Sequence, residues 1–157
     1  ICFHMTDLPY GRGGSPLQNL IVRGHVMTKL TALRMEKGLD TGPIYFKKPL
    51  LLEGTAEDIY KRAAELSWEM MNDFVTFEEL NATPQSGEVT TFMRRKPEQS
   101  QIPVSLSAQQ VYDYIRMLDA PDYPNAFIKH NDYKIEFTDA KLLNGEISAT
   151  VKIKVKE

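Results

Sequence analysis

Two loops, each following an apolar segment, constrain the fold of this chain more than any other feature. The first, residues 4–14, begins with His4 and has four glycine or proline residues in eleven positions, which is typical of an irregular loop. The second, residues 38–42, places Asp40 between two glycines, 36 residues after His4. In an open α/β sheet, such loops meet at one end of neighbouring strands, where ligands usually bind. The pattern predicts a shared pocket in which Asp40 orients a proton-handling His4.

Composition narrows the class of protein. The 157 residues, 42% of them apolar, can bury one core, or one main unit with a small appendage. A net charge of −2 gives no overall positive field that would attract nucleic acid or an anionic membrane. The single cysteine excludes an intrachain disulfide and a cysteine-built metal site, and it indicates a reducing, cytoplasmic setting. Because the chain begins with Ile rather than Met, we expect further residues upstream.

Local signals predict most of the helices and strands. Ser15-Pro16 predicts a helix start, with Ser15 as the N-cap. Residues 26–35 and 43–51 predict a strand hairpin, in which Pro49 marks an edge or a break. A capping box at residues 55–58 predicts a long helix. Its apolar stripe, at helical spacing, consists of Ile59, Ala63, Leu66, Met70, Phe74 and Phe77.

The last third of the chain has a different character. Residues 81–105 predict a connector, and Ser107 with Gln110 predicts a second capping box and a short helix. Residues 126–155 predict strands, with turns at 131–132 and 144–145. The whole pattern predicts an α/β chain that ends in a small helix-plus-antiparallel-β unit.

Several candidate residues have both a functional and a structural interpretation. A histidine such as His4 is more often structural than catalytic, but its loop lets backbone approach a ligand closely. Asp40 could be a simple turn acid. Arg12, flanked by two glycines, has room to reach an anion, whereas the basic run 94–96 is either a solvated loop or a phosphate contact. No His, Cys, Asp or Glu cluster has metal-binding spacing, so no metal is predicted.

Residues 2–16 resemble the signature of the folate-dependent formyltransferases, a family that includes methionyl-tRNA and amino-sugar formyltransferases. The family pattern Asn-x-His-x-Ser-x-Leu-Pro-x-x-Arg-Gly is matched by His4, Thr6 in place of Ser, Leu8, Pro9, Arg12 and Gly13. The family's later acid lies in a turn like that of Asp40, at the same spacing. The similarity continues weakly through residues 55–77 and 115–121.

The resemblance implies transfer of a formyl group from 10-formyltetrahydrofolate to a primary amine. His4 would stabilise the oxyanion that develops or move the proton, and Asp40 would raise the basicity of His4 and help to deprotonate the incoming ammonium. The implied folate contacts are Thr6, Asp7, Leu8, Pro9, Arg12, Gly38 and Leu39.

The resemblance also implies a division of the chain. Residues 1–100 would form the later part of a Rossmann-like formyltransferase domain, whose N-terminal strands lie outside this chain. Residues 101–157 would form a small C-terminal α+β subdomain. The oligomeric state is left open.

Cys2 stands where the family has the asparagine that donates a hydrogen bond to the formyl oxygen. A thiol is a poor donor, and losing one oxyanion donor costs about 2.7–4 kcal/mol. Either a backbone N–H or His4 compensates, or transfer is slow. The alternative is a non-catalytic, ligand-binding member of the same fold.

The acceptor amine is an amino-sugar nucleotide or Met-tRNA. A tRNA would need a basic C-terminal surface, yet residues 126–157 have six lysines against five acids. This balance favours the sugar nucleotide. It also argues against a structural domain whose basic tail binds RNA. No membrane partner is predicted, because no apolar run approaches the roughly 20 residues of a membrane span.

Overall fold

The computed structural model describes residues 1–76 and 80–155. Within these residues the elements are, in chain order, β1 (Cys2–His4), β2 (Arg12–Gly13), α1 (Pro16–Ile21), β3 (Met27–Leu33), β4 (Ile44–Leu51), α2 (Ala56–Thr76), β5 (Thr91–Phe92), a 3-10 turn (Pro97–Ser100), α3 (Ala108–Arg116), β6 (Ala126–His130), β7 (Tyr133–Leu143) and β8 (Glu146–Val155). No helix in these ranges is both long and apolar enough to cross a membrane.

The first sheet is antiparallel and contains the two strands that precede the candidate loops. Its strand order is β1-β3-β4, and β1 pairs with β3 so that His4 lies opposite Thr31. The predicted hairpin of β3 and β4 is confirmed, and Pro49 lies in β4 at the edge of this sheet. Because this pairing is antiparallel, the first loop leaves from the His4–Thr31 end and the segment after β3 leaves from the Cys2–Leu33 end. The two loops meet because they fold toward each other, with the Gly13 amide donating to Asp40.

A short parallel pair, β2 with β5, connects the first loop to the connector. Arg12 pairs with Thr91, and Gly13 pairs with Phe92. The backbones approach so closely that a Cβ at Gly13 would lie 2.3 Å from the Phe92 carbonyl oxygen. Gly13 also has φ of +108°, a conformation that side chains disfavour. The glycine is therefore required by this pairing.

The helices begin near the predicted positions. Thr55 and Asp58 form the capping box of α2, with the Asp58 carboxylate accepting from the Thr55 amide at 2.9 Å. Ser107 and Gln110 form the second one, at the start of α3. Ser15 is the N-cap residue of α1, and Pro16 begins the helix, as predicted. The Ser15 hydroxyl makes no capping hydrogen bond and instead accepts one from the Arg95 amide at 3.0 Å.

The α2 stripe faces the interior as predicted. Ile59, Ala63 and Met70 are buried, and Leu66 and Phe74 pack against the core. Phe77 lies outside the described residues.

The C-terminal unit is a three-stranded antiparallel sheet of order β6-β7-β8, with α3 packed against β7. Both predicted turns, at 131–132 and 144–145, connect these strands. The largest core cluster combines residues on both sides of position 100, including Leu17 and Leu50 before it and Ile115 and Ala126 after it. The division at about residue 100 stays a prediction.

Candidate functional site

His4 and Asp40, the two residues predicted to converge, lie next to each other. The His4 side chain ends β1 and is buried, with its Nδ1 atom 3.7 Å from the Asp40 Oδ2 atom. On the opposite side of the ring, Nε2 lies 2.8 Å from the Gly11 carbonyl oxygen. The imidazole is thus held between the first loop and the Asp40 turn.

The Gly11 carbonyl fixes the proton on the neutral imidazole. A carbonyl oxygen only accepts hydrogen bonds, so Nε2 of His4 is the donor, and Nδ1 is left with its lone pair toward Asp40. The 3.7 Å separation is longer than a direct hydrogen bond. A proton can pass between Nδ1 and the carboxylate once the two atoms approach to roughly 2.6–3.2 Å or are bridged by one water.

Asp40 is held at its side chain and at its backbone. Its Oδ2 atom accepts a hydrogen bond from the Gly13 amide at 2.8 Å, and its carbonyl oxygen accepts one from Gln85 Nε2 at 2.7 Å. Its φ of +52° belongs to the left-handed region, which residues with a Cβ adopt uncommonly and aspartate more readily than most. The turn is therefore defined by contacts from the first loop and from the connector.

Arg12 contacts protein rather than open solvent. Its guanidinium donates from Nε at 3.1 Å and from Nη2 at 2.7 Å to Oε1 of Gln85. Sequence reasoning placed Arg12 in the site but missed Gln85, which lies in a segment predicted only to be a connector. Nothing in the local sequence distinguishes this glutamine from those on the surface.

A cavity of about 240 Å³ lies beside Asp40. It is lined by Cys2, Leu33 and residues 34–42, which include the predicted folate contacts Gly38 and Leu39. His4 is not among the lining residues, so the carboxylate side of the pair is the one that faces this space.

Cys2 shares the cavity with the candidate acid. Partial burial raises the pKa of the Cys2 thiol, and the negative charge of Asp40 raises this pKa further. The side chain therefore stays a thiol near neutral pH. Its S–H is directed to the Phe3 carbonyl oxygen, 3.7 Å from Sγ, a weak interaction.

Three other predicted folate contacts are buried inside the first loop. The Thr6 hydroxyl donates to the Gly11 carbonyl at 3.3 Å, and Leu8 packs against Leu33 in a small core cluster. Pro9, which follows Leu8 through a cis peptide bond, is also buried. These side chains shape the loop from within, and a role in binding folate stays a prediction.

The remaining predicted contact, Asp7, is paired with two lysines. Its carboxylate lies 3.0 Å from Lys29 Nζ and 2.5 Å from Lys47 Nζ. Burial alone would raise the pKa of Asp7, but hydrogen bonds and charge from Lys47 and Lys29 outweigh this effect and lower it. Asp7 lines a separate cavity of about 410 Å³, together with Tyr10 and His25.

Within residues 1–76 and 80–155, no group of three or more His, Cys, Asp or Glu side chains could hold a metal ion.

Comparison with known proteins identifies the class to which this fold belongs, the formyltransferases. The solved structure of methionyl-tRNA formyltransferase from Clostridium thermocellum is 51% identical in sequence and superposes with a TM-score of 0.94, over 98% of this chain and 67% of that chain. The family model for the C-terminal domain of methionyl-tRNA formyltransferase matches residues 97–154. The chain belongs to the formyltransferase family that includes methionyl-tRNA formyltransferase.

Two further comparisons show how far the likeness in sequence and in fold extends. Methionyl-tRNA formyltransferase from Rickettsia felis is 31% identical over 147 residues, which cover 91% of this chain and 48% of that protein. The chain thus spans about half the length of the curated relatives it matches. An N-formyltransferase from Helicobacter canadensis, solved in complex with folinic acid and dTDP-3-aminofucose, shares the fold at 16% identity and a TM-score of 0.67, over 98% of this chain and 64% of that one.

Proposed function

We propose that this chain supplies the proton-transferring part of an active site that moves a formyl group from 10-formyltetrahydrofolate to the amino group of methionyl-tRNA. The observation that carries the proposal is the His4–Asp40 pair, with 3.7 Å between Nδ1 and Oδ2, in a member of the formyltransferase family. The Gly11 carbonyl and the Gly13 amide orient the two side chains before any substrate binds. Such preorganisation is what a proton-transfer step needs.

The transfer forms a bond from the amine nitrogen to the formyl carbon, while the bond from that carbon to the folate nitrogen breaks. The amine loses one proton and the folate nitrogen gains one. Asp40 faces the cavity and is placed to take a proton from the incoming amine. His4, behind it, accepts that proton at Nδ1 when the two side chains approach to hydrogen-bond distance, and its Nε2 proton stays donated to the Gly11 carbonyl.

The cavity beside Asp40 fits part of a folate. Its volume of about 240 Å³ is below the roughly 300–1,000 Å³ typical of pockets that enclose a whole small ligand. Leu33 and Leu39 give it apolar walls, and the turn around Gly38 gives it backbone hydrogen-bonding groups. The described residues would therefore contact one end of the folate, where the formyl group enters.

Methionyl-tRNA is the acceptor that the comparisons favour. The charge balance of residues 126–157 favoured an amino-sugar nucleotide, but the relative of 51% identity is a methionyl-tRNA formyltransferase, whereas the sugar-nucleotide complex is only 16% identical. The family model of a methionyl-tRNA formyltransferase domain over residues 97–154 supports the same choice. A cytoplasmic location stays a prediction from composition.

The alternative of a non-catalytic binding protein rests on Cys2 alone, and the comparisons give it no support. The His4 and Asp40 side chains are both present and in contact range. The missing donor at position 2 bears on the rate of transfer rather than on whether the proton-transferring pair exists.

The test measures formation of formyl-methionyl-tRNA by the purified protein at its full natural length, supplied with 10-formyltetrahydrofolate. We expect transfer, and a loss of roughly a hundredfold or more in rate for His4→Ala and for Asp40→Asn, since general acid–base groups contribute about 10²–10⁴-fold. His130→Ala, at an exposed histidine that ends β6, is the matched control. dTDP-3-aminofucose serves as the competing acceptor.

Three other outcomes of this experiment would each contradict a part of the proposal. Transfer to the sugar nucleotide but not to methionyl-tRNA would overturn the choice of acceptor. Folate binding without transfer to either acceptor would favour the non-catalytic alternative. Equal rates for the parent, His4→Ala and Asp40→Asn would remove the pair from the chemistry.

A further inference from the structure

Gln85 joins the two loops that form the candidate site. Its Nε2 group donates to the Asp40 carbonyl at 2.7 Å and to the Gly42 carbonyl at 2.8 Å. Its Oε1 atom accepts from Arg12 Nε and Nη2, at 3.1 and 2.7 Å. A glutamine amide has two N–H donors and an oxygen with two lone pairs, so this side chain uses its full hydrogen-bonding capacity.

The partners fix the orientation of this amide. Turned by 180°, its NH2 group would face the guanidinium donors of Arg12, and its oxygen would face two carbonyl oxygens. Both sides would then be repulsive, which makes the assigned orientation the only one that satisfies all four contacts. A glutamate at this position would keep the contacts with Arg12. Its carboxylate would repel the carbonyl oxygens of Asp40 and Gly42, to which the amide donates.

Gln85 holds a turn whose backbone conformation is uncommon. Asp40 has φ of +52°, in the left-handed region that few residues with a Cβ adopt and that aspartate tolerates. Gln85 bonds the carbonyls of residues 40 and 42, while the Gly13 amide holds the Asp40 carboxylate. Backbone and side chain of the acid are therefore fixed by two separate groups, and releasing the backbone would move the carboxylate as well.

We propose that Gln85 is a positioning residue that sets the separation between the Asp40 carboxylate and His4. The hydrogen bonds from Gln85 to the turn are a property of this fold, and only their effect on catalysis rests on the proposed function. The interaction across 3.7 Å between His4 and Asp40 is sensitive to position, because a displacement of about 1 Å can cost roughly a hundredfold in rate.

The structural part of the proposal is tested by NMR on the purified chain. The Gly13 amide proton donates to a carboxylate, and such a bond is stronger than one to a neutral acceptor. In Gln85→Glu and in Gln85→Ala, we expect its signal to move upfield, toward its position in Asp40→Asn. In the Asp40→Asn background, Gln85→Glu should add little further shift. Gln101→Glu, at an exposed glutamine in the connector, is the control for the added charge.

The catalytic part is tested by the kinetics of transfer to methionyl-tRNA. We expect Gln85→Glu to lower kcat by roughly a hundredfold with little change in KM for the folate, because the change acts through the position of the acid. Gln101→Glu should keep the rate of the parent.

The two readouts separate the possible failures. A Gly13 amide signal that moves no further in either Gln85 variant than in Gln101→Glu would show that Gln85 does not position Asp40. A moved signal with unchanged kcat would overturn the effect on catalysis. If the parent shows no transfer, the proposed function and this catalytic effect fail together, and the NMR measurement still decides whether Gln85 positions Asp40.

Discussion

Gly13 performs two roles that no other residue type could combine at its position. Its amide donates to the Asp40 carboxylate, and its lack of a side chain allows β2 to run against β5. An added Cβ would lie 2.3 Å from the Phe92 carbonyl oxygen, which is backbone and has little room to yield. The residue therefore couples the packing of the connector to the contact that orients the acid.

Substituting Gly13 by alanine should destabilise the chain by more than about 1 kcal/mol, since both its φ of +108° and the clash oppose a side chain. Chemical denaturation measures the change in free energy of unfolding. Gly24→Ala is the matched control, because Gly24 also has positive φ, at +79°, but a Cβ there meets no atom within 4 Å. Equal losses for the two variants would show that the close approach to Phe92 contributes nothing.

At the scale of elements, the C-terminal sheet is stabilised by charge on one face. Glu136 on β7 is buried, and it accepts from Lys134 on its own strand and from Lys154 on β8, each at 2.8 Å. Burial alone would raise the pKa of Glu136, but the hydrogen bonds and charges of the two lysines outweigh burial and lower it. The sheet thus contains a carboxylate that must be ionised for its contacts to form.

The lowered pKa of Glu136 gives the stability of the chain a definite pH dependence. A carboxylate whose pKa is lower in the folded state stabilises above its unfolded value of about 4.3, and this contribution disappears as the pH falls through the folded pKa. We expect Glu136→Gln to lower the free energy of unfolding at pH 7, by about 1 kcal/mol since the lysines are partly exposed, and less near pH 3. Urea denaturation at the two pH values measures this, and an equal difference at both would contradict it.

At the scale of the whole molecule, a buried arginine joins the C-terminal unit to the first sheet. Arg116, at the end of α3, donates from Nε to Asp113 at 2.6 Å and from Nη1 to the carbonyls of Leu52 and Gly54, at 2.6 and 3.0 Å. Leu52 follows β4 directly. The contacts therefore cross the predicted division at about residue 100.

Removing Arg116 should cost roughly 3–5 kcal/mol, because it leaves the Asp113 carboxylate buried without its partner. Arg116→Met, Asp113→Asn and the double variant form a mutant cycle measured by denaturant unfolding. We expect the double variant to be less destabilised than the sum of the single variants. Additive losses would mean that the pair is not a coupled unit.

Sequence could predict those features whose signals are local. The two capping boxes, the β3–β4 hairpin and the turns of the C-terminal sheet each depend on residues a few positions apart. The rule that loops meet at one end of neighbouring strands predicts that His4 and Asp40 lie close together. They do, but β1 and β3 are antiparallel, so the contact is made by loops that fold toward each other rather than at a shared strand end. The same logic does not say which way a loop side chain points, and so it could not show that Thr6 and Leu8 face the interior.

Gln85 and Arg116 could not be found in this way. Gln85 bonds the carbonyls of residues 40 and 42, and Arg116 bonds those of residues 52 and 54, all more than forty positions away in the chain. Carbonyl oxygens are identical at every residue and leave no sequence signal. Ser15 illustrates the same limit, because its hydroxyl accepts a hydrogen bond from the distant Arg95 amide rather than from an amide of its own helix.

The pairing of β2 with β5 connects the position of the Asp40 carboxylate to the segment that leads into the C-terminal part of the chain. Residues 91–92 touch the first loop at Gly13, and residues 97–154, the part matched by the C-terminal domain of the family, begin only five positions later. A molecule that binds residues 97–154 and displaces residues 91–92 would also displace the Gly13 amide, which donates to Asp40, without entering the cavity. Binding at a distance from the cavity would in this way change the position of the Asp40 carboxylate.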